Sequence, residues 1–77
     1  MPSTKLNVEG DNILLVDVLV QTGLCQSKGE AKRLIQQGGI SLDDIKIDKI
    51  DYLITKVDLT KGIKIKKGKK IYHKIYV

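Results

Sequence analysis

The chain has 77 residues and carries 14 Lys plus Arg against 9 Asp plus Glu, a formal net charge of +5 with a pI near 9.4. That length allows one domain with one modest core and excludes a multi-step active site with its own lid and cofactor pocket. The basic balance points to an anionic partner, nucleic acid or a membrane surface, and it is concentrated at one end: Lys61, Lys64, Lys66, Lys67, Lys69, Lys70 and Lys74 have no Asp or Glu among them.

In chain order, residues 1–12 hold Pro2, Ser3, Thr4, Gly10, Asp11 and Asn12 with only Leu6 and Val8 as medium-sized apolar residues, and read as a linker or loosely docked arm before a domain at 13–77. Residues 13–22 are nearly all apolar. Leu15, Val18, Leu19 and Thr22 match a helix relieved by Asp17 and Gln21 and stopped by Gly23. A longest apolar run broken by Asp17 is far too short to cross a bilayer, so a soluble protein is expected. After a short turn, Ser27 and Glu30 have the form of a capping box, which predicts a second helix from about Lys28. Ala31, Leu34 and Ile35 form its apolar stripe, while Lys28, Lys32 and Gln36 recur on another face with Arg33 and Gln37 beside them. The two short helices are expected to pack as an αα corner.

Gly38-Gly39 ends the second helix, and the period changes to two. Ile40 and Leu42, then Ile45 and Ile47 across Asp43-Asp44, predict a tight hairpin. Residues 50–59 read as loop or strand. Ile63 and Ile65 alternate with lysines, Lys67-Gly68-Lys69 makes a turn, and Ile71, His73, Ile75 and Val77 alternate with Tyr72, Lys74 and Tyr76. The fold class is therefore α+β: two short helices on a small, mostly antiparallel sheet, with no internal repeat apparent.

Catalysis finds little support. The only His, His73, falls on the apolar side of a strand, as a structural histidine does. Cys25 has no second cysteine to bridge with, no signal-peptide pattern opens the chain, and a reducing cytoplasm fits best; the residue itself reads as a small core-lining group. One Cys and one His cannot build a zinc set, the acids lack calcium-loop spacing, and Gly38-Gly39 follows a helix where a phosphate-binding motif would precede one. No metal or cofactor is expected in this domain.

Binding chemistry is better supported. Lys28, Lys32, Arg33 and Gln36 start at a helix N-terminus, whose free N–H groups and dipole favour phosphate oxygens, and Ser27 can share its hydroxyl with a phosphate. Tyr72 and Tyr76 flank Lys74 on one strand face, which suits irregular or single-stranded RNA with bases free to stack; simple sheet-forming tyrosines, and lysines that merely keep an edge soluble, remain the alternatives. The candidate RNA-contacting set is Ser27, Lys28, Lys32, Arg33, Gln36, Lys66, Lys67, Lys69, Lys70, Tyr72 and Lys74, taken as converging on one surface. A membrane-surface role is disfavoured because these cations lie on both a helix and strands.

The order helix, Gly23-Leu24, Ser27-Lys28-Gly29-Glu30-Ala31-Lys32-Arg33-Leu34-Ile35, Gly38-Gly39 and hairpin resembles the S-four RNA-binding domain over residues 13–47. With Val16-Asp17-Val18-Leu19-Val20-Gln21-Thr22 before it and Lys67-Gly68-Lys69-Lys70-Ile71-Tyr72-His73-Lys74 after it, nearly the whole chain is similar to the C-terminal domain of bacterial tyrosyl-tRNA synthetases. The resemblance implies contact with the long variable arm and anticodon stem of the tyrosine tRNA, while a separate catalytic domain of a parent expected to be a homodimer uses ATP. It carries Ser27, Lys28, Lys32, Arg33 and Gln36 over as the RNA-facing helix, in a fragment expected to be monomeric. The synthetase catalytic signatures are absent from this chain, so no ligase activity is expected of it alone. Where the family's first hairpin turns on Asn-Gly, this chain has Asp43-Asp44, which tolerates left-handed geometry less well and leaves the turn type open. A free-standing module on ribosomal RNA, and a protein-docking domain using Ile40, Leu42 and Ile45, are the alternative functions.

Overall fold

The computed structural model describes residues 2–77. Two sheets and three helices follow in the order β1 (Ser3–Lys5), β2 (Asn12–Leu14), α1 (Leu15–Gln21), α2 (Lys28–Gln36), β3 (Ile40–Leu42), β4 (Ile45–Lys46), β5 (Leu53–Thr55), α3 (Lys56–Thr60), β6 (Ile63–Lys67) and β7 (Ile71–Tyr76). The larger sheet has the strand order β1-β7-β6-β3-β4, antiparallel except for the parallel β1–β7 pair; β2 and β5 form a separate antiparallel pair. The expected α+β arrangement is present, with α3 added to the two helices read from the sequence.

One core joins the layers. Leu15, Val18 and Leu19 of α1 and Ala31 and Ile35 of α2 are buried together with Ile40, Ile65 and Ile75 of the larger sheet. Removing a Leu such as Leu19, which is fully buried, from water contributes roughly 1.5–3 kcal/mol. The apolar stripe of α2 is thus the face turned to the core, as its spacing predicts.

Both ends of α2 follow local chemistry. The Ser27 hydroxyl accepts from the Glu30 N–H at 3.2 Å, and Glu30 reaches back to the Gln26 N–H at 3.4 Å, one residue before the position a strict capping box would use. At the other end Gly38 takes φ +75°. Its N–H donates to the Ile35 carbonyl and that of Gly39 to the Leu34 carbonyl, each at 3.0 Å, the paired bonds of a Schellman stop that delivers the chain into β3.

Three segments take forms that the sequence reading did not give. The segment read as an arm carries an edge strand: Ser3, Thr4 and Lys5 run in register with Lys74, Ile75 and Tyr76, and Leu6 is only 3 % exposed. The reason is that β7 offers an unpaired edge and Leu6 can fill the core, so few apolar residues suffice; residue 1 lies outside the described residues. The first helix begins at Leu15 rather than Ile13, because Ile13 pairs with Ile54 in the small sheet. Residues 50–59 divide into β5 and α3, and Thr55 caps α3 by accepting from the Asp58 N–H at 3.2 Å.

The Asp43-Asp44 turn adopts positive φ at both residues, +48° and +70°, the geometry that the I′ hairpin demands. Compensation comes from β6: the Lys64 N–H donates to Asp43 Oδ1 at 3.0 Å, and the Lys64 ammonium lies 3.2 Å from an Asp44 carboxylate oxygen. Asn-Gly would relax the backbone and could keep the bond from the Lys64 N–H, but would lose the Asp44–Lys64 ion pair.

An internal two-fold relation, not apparent from the sequence, passes through the Ile13–Ile54 pair. The Leu15 N–H donates to the Tyr52 carbonyl at 2.9 Å, and its counterpart, the Lys56 N–H, donates to the Asp11 carbonyl at 2.8 Å. The sequences around the axis correspond as well: Ile13-Leu14-Leu15-Val16-Asp17-Val18 and Ile54-Thr55-Lys56-Val57-Asp58-Leu59. Only Ile, Val and Asp are shared, too sparse a signal to stand out before the strand pairing is known.

Candidate nucleic-acid interface

On α2, Ser27, Lys28, Lys32, Arg33 and Gln36 are all exposed; Lys32, Arg33 and Gln36 lie on the side away from the buried Ala31 and Ile35, whereas Lys28 in the first turn reaches towards α1. Because the Ser27 oxygen accepts from Glu30, its own hydroxyl proton remains free to donate to an anion. Lys28 is committed in part: its ammonium lies 3.2 Å from Asp17 on α1, in a well-solvated pair. Lys32 and Arg33 have no acidic partner within salt-bridge distance among the described residues. The helix thus presents two uncompensated cations along its middle and last turn, with the free N-terminal groups one turn or more away, a positive surface suited to phosphate oxygens.

Part of the closing hairpin extends this surface. Lys67 shares the core-facing side of β6 with Ile63 and Ile65, and its ammonium donates to the Leu24 carbonyl in the α1–α2 connection. The Gly68 N–H donates to the Gly39 carbonyl at 2.8 Å, which holds the hairpin turn beside the end of α2, with Lys69 and Lys70 exposed in that turn. Lys46, missed in the sequence reading, arrives from β4: a Cβ at Gly38 would lie 2.7 Å from its Nζ. No sequence pattern announces it, since its place depends on the β3–β4 register.

The rest of the candidate set is elsewhere, and the expectation of one converging surface is corrected here. Strand alternation sets Lys66, Tyr72 and Lys74 on the opposite face of the sheet from Ile65, His73 and Ile75, hence away from the helices. Lys66 pairs in register with Tyr72 and Lys64 with Lys74, while Lys5 of β1 stands beside Tyr76. The ammonium groups of Lys64 and Lys66 each lie 5.7 Å from the Tyr72 ring centre, within cation–π range. Lys64, Tyr76 and Lys5 belong to this face by strand period and were not in the candidate set.

His73 and Cys25 take structural places. His73 is 8 % exposed and its Nε2 lies 2.7 Å from the Thr4 hydroxyl, tying β7 to β1. Burial pushes the Cys25 thiol above its ordinary pKa, opposed by the Lys67 ammonium and reinforced by Glu30. No helix among the described residues is long and apolar enough to cross a membrane.

Residues 1–75 match the family described as "Tyrosine--tRNA ligase SYY-like C-terminal domain". Among curated relatives, the tyrosine-tRNA ligase of Acetivibrio thermocellus is 44 % identical over 97 % of this chain and 19 % of its own length. Tyrosine-tRNA ligase 1 of Clostridium acetobutylicum is 46 % identical over 82 % of this chain and 16 % of its own length. The tyrosine-tRNA ligase of Clostridium botulinum strain Hall is 41 % identical over the whole chain and 19 % of its own length. The chain thus spans about a fifth of the length of these relatives. The extent of these matches, together with a helix–hairpin surface rich in unpaired cations, leads to one conclusion: the chain belongs to the family of SYY-like C-terminal domains of tyrosine-tRNA ligases.

Proposed function

We propose that this chain is the RNA-binding C-terminal part of a cytoplasmic tyrosine-tRNA ligase, and that it holds the tyrosine tRNA by its long variable arm and anticodon stem. Catalysis, including the use of ATP, then belongs to the remaining four-fifths or so of such a ligase. Family membership supports the parent activity. The observation that carries the RNA reading is the exposed pair Lys32 and Arg33, without acidic partners among the described residues, on the face of α2 turned from the core, with the Lys67–Lys70 turn held beside the end of that helix. Contacts of this kind go to phosphates, so they fix position and register more than they read bases.

The test is the salt dependence of tRNA affinity. With roughly five phosphates engaged, the slope of log affinity against log salt is about −3.5 to −4.5, and a flat profile rejects the proposal. Lys32→Ala with Arg33→Ala weakens binding at low salt and reduces that slope by about 2, while thermal stability stays within about 0.5 kcal/mol, because neither side chain enters the core. Preference for a ribosomal RNA hairpin over a long-armed tRNA would instead favour a ribosome-directed module.

A further inference from the structure

We propose that the outer face of the larger sheet is a second RNA-contacting surface, distinct from the α2 surface and built for unpaired nucleotides rather than for a duplex backbone. The inference rests on the RNA-binding reading above and extends it to a two-sided domain. It starts from strand alternation. Lys64 and Lys66 of β6, Tyr72, Lys74 and Tyr76 of β7, and Lys5 of β1 share the side of the sheet that carries no helix.

Two features of this face run against what sheet stability alone selects. Lys64 stands directly opposite Lys74, and like charges directly opposite each other destabilise an antiparallel pair. Among the described residues the only salt bridge that relieves them comes from Asp44, at the β3–β4 turn. Tyr72 and Tyr76 are 37 % and 36 % exposed, so each keeps part of its ring open to solvent, with the Lys64 and Lys66 ammonium groups beside that of Tyr72. A face kept for solubility alone needs neither partly open aromatic rings nor two lysines in register.

The chemistry of the occupant follows from the layout. Tyr72 and Tyr76 are four residues apart on one strand, so their rings project from the same face about 13 Å apart. Lys74 lies between them, Lys66 is beside the first ring and Lys5 beside the second. Flat aromatic surfaces spaced by cations accept bases on the rings and phosphates between them, the arrangement by which sheets bind single-stranded RNA. A duplex keeps its bases stacked on each other and offers these rings nothing. An acidic protein surface would meet the lysines but leave the rings without a matching partner.

The experiment uses the 77-residue chain with two labelled probes, a single-stranded oligouridylate and a short RNA duplex, read by fluorescence anisotropy. Oligouridylate affinity falls about tenfold or more in Tyr72→Leu with Tyr76→Leu, whereas duplex affinity is unchanged. Tyr72→Phe with Tyr76→Phe keeps the stacking surface and binds oligouridylate as the wild type does. Lys66→Gln provides a milder loss if the leucine variant fails to fold. Lys32→Ala with Arg33→Ala has the opposite profile, and duplex does not displace oligouridylate. Loss of both probes in the α2 variant, with no effect of the tyrosine changes, overturns the second surface and leaves the proposed function standing. Salt-independent binding of both probes, unaffected by any of the variants, overturns both.

Discussion

The two strand–helix units related by the Ile13–Ile54 axis begin from the same local instructions and end in different surroundings. In the first unit Val16 is 2 % exposed and Asp17 is paired with Lys28 of α2; in the second, Val57 is 69 % exposed and Asp58 has no cationic partner among the described residues. The first helix runs seven residues without a side-chain cap at Leu14, whereas the second runs five and is capped by Thr55. The difference teaches that a strand feeding a helix is a local product of the Ile-x-x-Val-Asp pattern, while burial is conferred by what else packs there. The unit that gained α2 as a neighbour became core and the other stayed at the surface, so it relies on its cap.

The largest effect that breaks this comparison is a charge at the equivalent valines. Val16→Asp places an unpaired carboxylate in the core and costs about 3–5 kcal/mol or abolishes folding, whereas Val57→Asp stays within about 0.5 kcal/mol; urea unfolding of the pair measures both. Equal effects would mean that the two units are equally buried in solution. Next come the caps: Thr55→Ala and Ser27→Ala each lower stability by about 1 kcal/mol, since each hydroxyl satisfies the third N–H of its helix, and the loss is legible in helical circular dichroism. Asp17→Asn, which removes the Lys28 partner, changes stability by about 0.2–1 kcal/mol in low salt and less at high salt. If it proves neutral at all salt concentrations, the asymmetry between the units lies in apolar burial alone.

The smallest effect is pH-dependent. Burial raises the Cys25 thiol pKa in the folded state. The stability this gives is fully present below the unfolded value of about 8.5 and declines as pH rises through it towards the folded value. Alkaline titration of a Cys25→Ala variant beside the wild type, each followed by thermal unfolding, isolates the decline, and the same protection makes the wild-type thiol slow to react with a thiol reagent until the chain unfolds. Rapid labelling of the native protein would show that the site opens locally.

Much of this molecule was legible without coordinates wherever the controlling interaction is short in sequence. Ser27 with Glu30 three residues later announces the start of α2, and Gly38-Gly39 its end. The period-two runs around Asp43-Asp44 and Gly68 announce the hairpins. The aromatic and cationic residues of the outer sheet face were visible as types, and the resemblance named the family that the full-length matches then established. By contrast, Lys46 and Lys5 were invisible as surface members, because their positions follow from the registers β3–β4 and β1–β7 rather than from nearby sequence.

What the sequence by itself determined, then, is the inventory: where helices start and stop, which strands are amphipathic, and that lysine is in excess over the last third of the chain. Tertiary structure alone decided the division of that charge. The same run of lysines is split by strand alternation and by one layer of helices into a rim that joins α2 and a face that looks the other way. The docking of residues 3–6 and the fate of Val57 were likewise settled by which edge and which groove were left open. These are long-range outcomes: each depends on partners tens of residues away, and a chain read residue by residue carries no record of which of its surfaces will find a neighbour.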